Sequence, residues 1–555
     1  MANLAEPGRI QTGVAVKKQR THIAFWVAGG IVGTAAVLPV IYLVIRTAGA
    51  GQEAWDLVFR ARTAAVLGRT ALLIATVTFF STLVAVPVAW LTLRTDLPFK
   101  RTLAVGAALP LVVPSYVMAM TLIEAFGPRG ILQQLLEGPI GLHRLHDIYG
   151  LGGATLAVVL VTYPYVLLTV RGALRRVDPA LEEAARSMGY GPVATFRRVT
   201  LPALRPAITA GVLLAALYTL SEFGAVALLR YETFTATVYA QYSSALDRSV
   251  AASLALVLAV VAVVILVAED FSRGHAAYHR SSAGAARPAR SVKLGAWRWP
   301  AFMFVLLPII VGLLIPLAVL GYWLAQGLAH GRGAGPVWEP VRHSVSISLL
   351  AALATLVAAA PVAVLAVRHR NILSRTIERL TYIGFGLPGI AVALSLVFFG
   401  INIATPLYQT VWLLLFAYVV LFLPAAVGAL RSSLVQVSPR IEEAAQALGR
   451  TPVKIMTSVT LPLVAPGILS GAAMVFLMTM KELPATLVLS PIGSETLATS
   501  VWSSASEALF ARAALPAILL VTVAGVPTAF FVLRDPARRS MPEAGPIRPE
   551  RTGAG

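Results

Sequence analysis

The chain has 555 residues, 57% of them hydrophobic and 13% charged, with a net charge of +20 and a mean hydropathy of +0.79. Ordinary soluble domains carry about 25% charged residues, so a soluble protein of this size is excluded: it lacks the polar surface to cover itself. The absence of cysteine excludes thiolate metal sites, cysteine nucleophiles and disulfides. The basic excess lies in short clusters between long apolar runs, without the aromatic-interleaved stretches of an RNA-binding surface. Lipid, and no nucleic acid, is the expected partner.

Lys17, Lys18 and Arg20 precede an apolar run from His22 to Ile45. That run is longer than the roughly 7–15 apolar residues of a secretory signal, so it is expected to be a retained first span, although Ala48-Gly49-Ala50 imitates a cleavage site. A membrane helix needs about 20 apolar residues. Twelve stretches meet that rule: 23–45, 64–93, 103–125, 151–170, 207–229, 249–268, 301–325, 344–367, 378–400, 408–430, 467–489 and 513–533. Nothing alternates as a spanning barrel strand would, so an all-α membrane protein is expected. With the N-terminus inside, the inner segments collect 33 of the 45 Lys and Arg residues, as the positive-inside rule requires. Both termini are then expected in the cytoplasm. Pro39, Pro87, Pro164, Pro361, Pro424 and Pro527 fall within the spans and are expected to kink them.

One internal repeat organises the chain. Residues 182–206 (EEAARSMGYGPVATFRRVTLPALRP) align with 442–466 (EEAAQALGRTPVKIMTSVTLPLVAP) at a constant offset of 260. The register runs from Pro164/Pro424 to Glu222/Glu482. Nearer the N-terminus the offset is 274, matching Pro87 with Pro361, Arg94 with Arg368 and Pro114 with Pro388. The first half therefore carries 14 extra residues within Gly127–Tyr163. Two six-span units with the same sidedness follow, as parallel repeats about an axis along the membrane normal. The expected organisation is an N-tail, first span and outer loop (1–62), a first domain (63–268) and a basic linker (269–300). A seventh span with its outer loop (301–342), a second domain (343–535) and a tail (536–555) complete it.

The repeated loop has the chemistry of a short capped helix. Asp178-Pro179 and Ser438-Pro439 supply an N-cap followed by proline at the first helical position. Glu182-Glu183 and Glu442-Glu443 fall in the first turns, where the helix dipole favours acids. Ala184-Ala185 and Ala444-Ala445 offer a small close-approach face, and Gly189 and Gly449 are expected as left-handed C-caps. A second short helix is expected from Pro192 or Pro452, stopping at Leu201-Pro202 or Leu461-Pro462. A solvated amphipathic loop would have no reason to occur twice at the same topological place. Docking a twofold partner supplies one.

The spacing Glu-Ala-Ala, three residues, Gly, nine residues, aliphatic, one residue, Leu-Pro resembles the EAA loop of ABC importer permeases. It is met by Glu183-Ala184-Ala185, Gly189, Val199 and Leu201-Pro202, and again by Glu443-Ala444-Ala445, Gly449, Val459 and Leu461-Pro462. Valine stands where isoleucine is more usual, and the resemblance covers the chain from about residue 60. It implies two tandem six-helix type I permease domains in a bacterial inner membrane, two copies of an ATPase subunit and one solute-binding protein. No Gly-Lys pair exists in the sequence, so the chain has no P-loop; ATP and magnesium are expected on the partner, and no cofactor on this chain.

Among two-domain permeases the chain is most similar to the iron(III) transport family, through 217–235 (LYTLSEFGAVALLRYETFT), 481–489 (KELPATLVL) and 495–502 (ETLATSVW). Thiamine permeases share the fused plan and are the alternative substrate class. Glu222 and Glu482 are equivalent intramembrane carboxylates, and such groups tend to face a pathway or a partner. Tyr218, Tyr231 and Glu232 lie nearby in sequence and are hard oxygen donors of the kind a hard cation takes. Glu222, Tyr218, Lys481 and Glu482 are the candidate path residues; a structural pair, with Lys481 neutralising an acid across the twofold axis, remains open beside that. No permanent metal site is expected, since an importer releases what it passes. His143 and His146, with Asp147 beside them in the long outer loop, are a pair without a third defined ligand, and the loop 127–150 could instead touch the binding protein. A secondary transporter or channel is the competing class, but it leaves two capped cytoplasmic helices unexplained. No nucleophile–base–acid set suggests an enzyme.

Overall fold

The computed structural model describes residues 23–49, 51–128, 130–140, 147–244, 249–273, 291–331, 335, 337–369 and 371–533. Among them there is no strand, only an isolated parallel bridge between Thr95 and Val292. Among the described residues nine helices are long and apolar enough to cross a membrane: Ile23–Ala48, Ala61–Arg94, Leu151–Leu174, Pro192–Ser221, Ser249–Ala268, Gly295–Ala329, Trp338–Arg368, Val411–Leu434 and Met456–Met480. Two bent pairs, Lys100–Val112 with Ser115–Gln134 and Ile372–Gly384 with Gly389–Asn402, bring the number to eleven. The last helix is Phe510–Leu533, with a shorter apolar stretch at Phe510–Gly525. Each of the twelve expected stretches holds helix; nine to eleven crossings are established among the described residues, and the exact count of twelve is not confirmed.

Both bent pairs turn by 101°, and both turn at proline. Val113 and Leu387, the residues before Pro114 and Pro388, have ψ of 120° and 125°; a following proline ring disfavours helical ψ at that position. By contrast Pro39, Pro87, Pro164, Pro361 and Pro424 lie inside continuous helices. The expected stops at Leu201-Pro202 and Leu461-Pro462 are also overturned, because the short helices run on into the spans. They do so through π-helical turns at Phe196–Thr200 and Met456–Thr460, in which the Leu201 and Leu461 N–H groups donate to the Phe196 and Met456 carbonyls. A third π turn, Ile310–Leu314, stands before Ile315-Pro316 in the same way. Proline brings no N–H and its ring crowds the carbonyl four residues back; one wide turn just ahead of it absorbs both defects.

Residues freed from water can pack with small side chains and shared hydroxyls. Ser81 and Thr162 hydroxyls lie 3.0 Å apart between two first-half spans, and Thr76 and Thr155 3.1 Å apart. Phe79 and its repeat partner Leu353 instead point outward from the helix bundle and are exposed, as lipid-facing side chains are. The 14-residue excess of the first half falls where it carries the extra helix Ile131–Ile140; the second half has only the short turn Thr405–Leu407 there.

The first span of each half packs on the other half. Ile23–Ala48 lies against Trp338–Arg368, Ile372–Gly386 and Gly389–Asn402, with the Ser395 hydroxyl donating to the Pro39 carbonyl at 2.7 Å and Tyr42 to Phe398 at 3.1 Å. In exchange Ile315–Ala329 lies against Ser115–Phe126, where the Trp323 indole donates to Glu124 at 3.1 Å. The linker end returns to the first half as well: Val292 N–H donates to the Arg94 carbonyl at 2.8 Å, and Asp96 N–H to the Val292 carbonyl at 3.1 Å.

Gly211 and Gly471, related by the 260 offset, both lie at helix–helix contacts within their halves. A Cβ on Gly211 would fall 2.6 Å from Thr169 Oγ1 and 2.8 Å from Val166 Cα; one on Gly471 would meet only the Ala429 and Leu356 side chains, at 3.2 and 3.3 Å. Gly211→Val should therefore cost about 1–3 kcal/mol through overpacking and lower the unfolding midpoint of the detergent-purified protein, while Gly471→Ala lowers it less. Equal midpoints for the two variants would refute the distinction.

Candidate functional site

The repeated loop forms the helices Pro179–Ser187 and Pro439–Ala447. Asp178 caps the first, its carboxylate accepting from Ala180 N–H at 3.0 Å. Ser438 has the extended backbone of a cap but makes no capping bond; a hydroxyl on one carbon reaches less far than a carboxylate. Gly189 and Gly449 close the helices with φ of +87° and +77°, a conformation that carries a Cβ penalty for other residues.

The paired acids divide their work. Glu182 and Glu442 turn inward, 4% and 8% exposed, whereas Glu183 and Glu443 face outward. Glu182 Oε1 receives Arg94 Nε at 3.3 Å and the Thr200 hydroxyl at 3.1 Å, and the Arg94 guanidinium also donates to the Leu174 carbonyl at 3.0 Å. The second half repeats this: Arg368 donates to Glu442 Oε1 at 2.7 Å and Thr460 at 3.0 Å. Arg94 and Arg368 end the spans Ala61–Arg94 and Trp338–Arg368, so each loop helix is fastened to a span by a buried, hydrogen-bonded ion pair. Such a pair is costly to break, because one partner is left buried and charged. The alanine pair divides too: Ala185 and Ala445 are buried against the span end, while Ala184 and Ala444 are exposed. Beside them stand Leu181 and Met188 in one copy, Ile441 and Leu448 in the other, with Met188 70% and Leu448 82% exposed. Neither the anchoring arginines nor the threonines had an assigned role in the sequence, though Arg94/Arg368 and Thr200/Thr460 both keep the repeat register.

The second cluster lies where the halves meet. The spans expected to run to 229 and 489 end at Ser221 and Met480, and Glu222 and Glu482 occupy the breaks. Each carboxylate caps the short helix beyond it, Glu222 accepting from Ala225 N–H at 2.9 Å and Glu482 from Ala485 N–H at 3.2 Å. Glu222 is buried and also accepts from Ser115 at 2.9 Å. The equivalent of Ser115 is Gly389, where a Cβ would stand 2.5 Å from Glu482 Oε1. Gly224 lies at the crossing, with Tyr116 Cβ and Leu483 Cδ2 at 2.7 and 3.2 Å from its missing Cβ. Tyr218 is half-buried beside Glu222, its ring 5.9 Å from that of Tyr165.

Lys481 makes no direct ion pair among the described residues; its ammonium donates to the Leu111 carbonyl at 3.2 Å. Tyr231 and Glu232 are not brought to Glu222 either. Glu232 pairs with Arg62 and Arg69, and the Tyr231 hydroxyl donates to the Arg69 carbonyl at 3.0 Å; two arginines outbid a buried site for an acid that can stay at the surface. Among the described residues no group of three His, Asp or Glu side chains could hold a metal. His143 and His146 lie outside the described residues, and Asp147 accepts from Tyr149 N–H at 3.0 Å in a local turn.

Paired, anchored loop helices on a helical membrane bundle of two parallel repeats define the membrane component of a two-part transport machine. The family described as binding-protein-dependent transport system inner membrane component matches this chain twice, over residues 77–269 and 353–539, and the chain belongs to that family of ABC importer permeases. Over 510 residues, 91% of this chain and 96% of the relative, it is 36% identical to the Fe(3+)-transport system permease protein FbpB 2 of Haemophilus influenzae. It is 26% identical over 470 residues (79% and 81% of the two chains) to a probable ABC transporter permease protein of Sinorhizobium fredii. A probable molybdenum ABC transporter permease protein of Haloferax volcanii is 37% identical over 194 residues, 34% of this chain and 69% of its own. The family implies a multi-pass inner-membrane protein that works with an ATPase and a substrate-binding partner.

Arg94→Met removes the partner of Glu182 and should destabilise the anchored helix by about 3–5 kcal/mol. The expected readout is faster tryptic cleavage at Arg186, Arg197 or Arg198 in membrane vesicles, with Glu183→Gln cleaving at the parental rate. Parental cleavage of the Arg94→Met protein would mean that the pair does not hold the helix.

Proposed function

We propose that this chain is the permease of an iron(III) importer that accepts its cargo from a solute-binding protein outside and releases it to the cytoplasm. The substrate assignment is supported by the 36% identity with an Fe(3+)-transport system permease across nearly the whole of both chains. The observation that carries the mechanism is the duplicated helix: a buried acid fastened to a span arginine on one side, exposed Glu183/Ala184 or Glu443/Ala444 and a bare apolar corner on the other. Two such corners on one chain fit two copies of an ATPase. ATP and magnesium belong to those subunits, and this chain holds no cofactor and performs no hydrolysis itself.

Both termini lie in the cytoplasm in this reading, which puts the helices Pro179–Ser187 and Pro439–Ala447 on the side of ATP. Glu182, Glu183, Ala184, Ala185 and Gly189, with Glu442, Glu443, Ala444, Ala445 and Gly449, form the two coupling sites. ATP binding draws the two helices together, and the buried ion pairs pass that displacement to the spans ending at Arg94 and Arg368. The halves then rock about the crossing where Glu222, Tyr218, Lys481 and Glu482 stand, and these residues border the path. A two-state packing of this kind is what lets one site bias another.

Uptake of ferric ion, delivered by its binding protein into vesicles containing the permease, should require the ATPase and ATP; uptake at the same rate without the ATPase would instead indicate a secondary transporter. Met188→Asp together with Leu448→Asp should abolish co-purification of the ATPase while the permease still inserts. Gly189→Ile or Gly449→Ile, forced out of the left-handed backbone, should weaken it, and undiminished co-purification in these variants would remove the helices from the interface.

A further inference from the structure

The crossing between the halves is asymmetric in one charged residue. Lys481 follows the helix Leu461–Met480, and its repeat partner is Ser221. The half-buried ammonium reaches across to the Leu111 carbonyl at 3.2 Å. Leu111 belongs to the tight turn Leu109–Val112, just ahead of the Pro114 bend. This one bond therefore joins the end of a second-half span to the bend of a first-half span.

The surroundings make the bond exchangeable. An ammonium has three donors, and the Leu111 carbonyl is the acceptor it meets among the described residues. Glu222 and Glu482 are both close enough to act on it electrostatically, but neither is within ion-pair distance. Glu482 accepts one backbone bond and faces Gly389, where the first half presents the Ser115 hydroxyl to Glu222. An ionisable group in a membrane bundle that is held by a lone carbonyl, with two carboxylates nearby, has two available sets of partners.

We propose that Lys481 is a positioning residue that ties the two halves together, resting on the Leu111 carbonyl in the closed arrangement and passing to the Glu482 and Glu222 carboxylates when the halves part at this level. The carbonyl bond is the restraint on the closed, ATP-free arrangement: separation of the halves must first break it, and the nearby carboxylates only keep the released charge from being left without a partner. The inference rests on the importer reading above for its coupling to ATP.

The chain contains no cysteine, so a single introduced pair reports the spacing of the halves. R176C and Q436C, both exposed and just ahead of the two loop helices, would carry spin labels in the full complex in lipid nanodiscs. With K481M, the ATP-free distance distribution should move toward the ATP-bound one. ATP hydrolysis without binding protein should rise at least about fivefold, the lower end of a typical coupling. K481R keeps a cationic donor and should restore the parental distribution and rate. A parental distribution in K481M, or a K481R protein indistinguishable from K481M, would overturn the tie. Should K481M fail to accumulate, K481Q takes its place with the same expected shift. Loss of the ATPase from the unsubstituted preparation would strike the importer reading instead; the tie would then be decided on the permease alone, by whether K481M changes the distance distribution and K481R restores it.

Discussion

A carboxylate withdrawn from water must be met by a cation and by hydrogen bonds, and the placement of Glu182 and Glu442 depends on that requirement. Each short helix bears few apolar residues on its inward side and would be poorly held by packing. The ion pairs with Arg94 and Arg368, completed by Thr200 and Thr460, supply the attachment. A buried pair need not add much net stability; what it adds is position, because its geometry is satisfied in one arrangement. The outward faces are thereby left free of any structural duty, and Leu181, Met188, Ile441 and Leu448 stay exposed among the described residues.

Proline chemistry sets the rest of the framework. Where a proline follows an extended residue, as at Pro114 and Pro388, the span breaks and bends by 101°. Where it follows a π turn, as at Pro202, Pro462 and Pro316, the helix survives. The difference matters for transmission. The unbroken route from Pro192 to Ser221 makes a stiff rod from the loop helix region to the crossing at Glu222, and Met456–Met480 does the same toward Glu482. The broken pairs, in contrast, put sharp corners beside that crossing.

Much of this was legible in the sequence. The helical class, the two units, the N-cap at Asp178 and the left-handed glycines follow from hydropathy, repeat register and turn chemistry, which are local properties. What was not legible depends on the third dimension. Glu182 and Glu183 are both acids in a first turn, and only the approach of Arg94, 88 residues away, decides which of them is buried. Lys481 was open to reading as the counter-ion of an acid across the twofold axis, yet the group its ammonium meets is a backbone carbonyl 370 residues distant. The ends of the spans near 229 and 489 were misplaced because Phe223–Leu229 and Leu483–Leu489 are as apolar as the spans themselves; hydropathy does not register a break that a capping carboxylate makes.

The exchange of first spans constrains how the halves can move. Ile23–Ala48 packs on the second half and Ile315–Ala329 on the first, so neither half can swing away without carrying a helix that belongs to the other. The linker reinforces this, since Val292 hydrogen-bonds the backbone of Arg94, the residue whose side chain fastens Glu182. A displacement of the loop helix thus reaches the seventh span by two routes, through the Ala61–Arg94 helix and through the bridge at Thr95 and Val292. Separation of independent lobes would break the Ser395–Pro39 and Trp323–Glu124 bonds together. Rocking of the halves about the crossing, with each first span riding on the opposite half, keeps them. That geometry favours a rocking motion with its narrowest point at the crossing, where Gly224, Tyr116 and Leu483 are already in contact and a single lysine spans the seam.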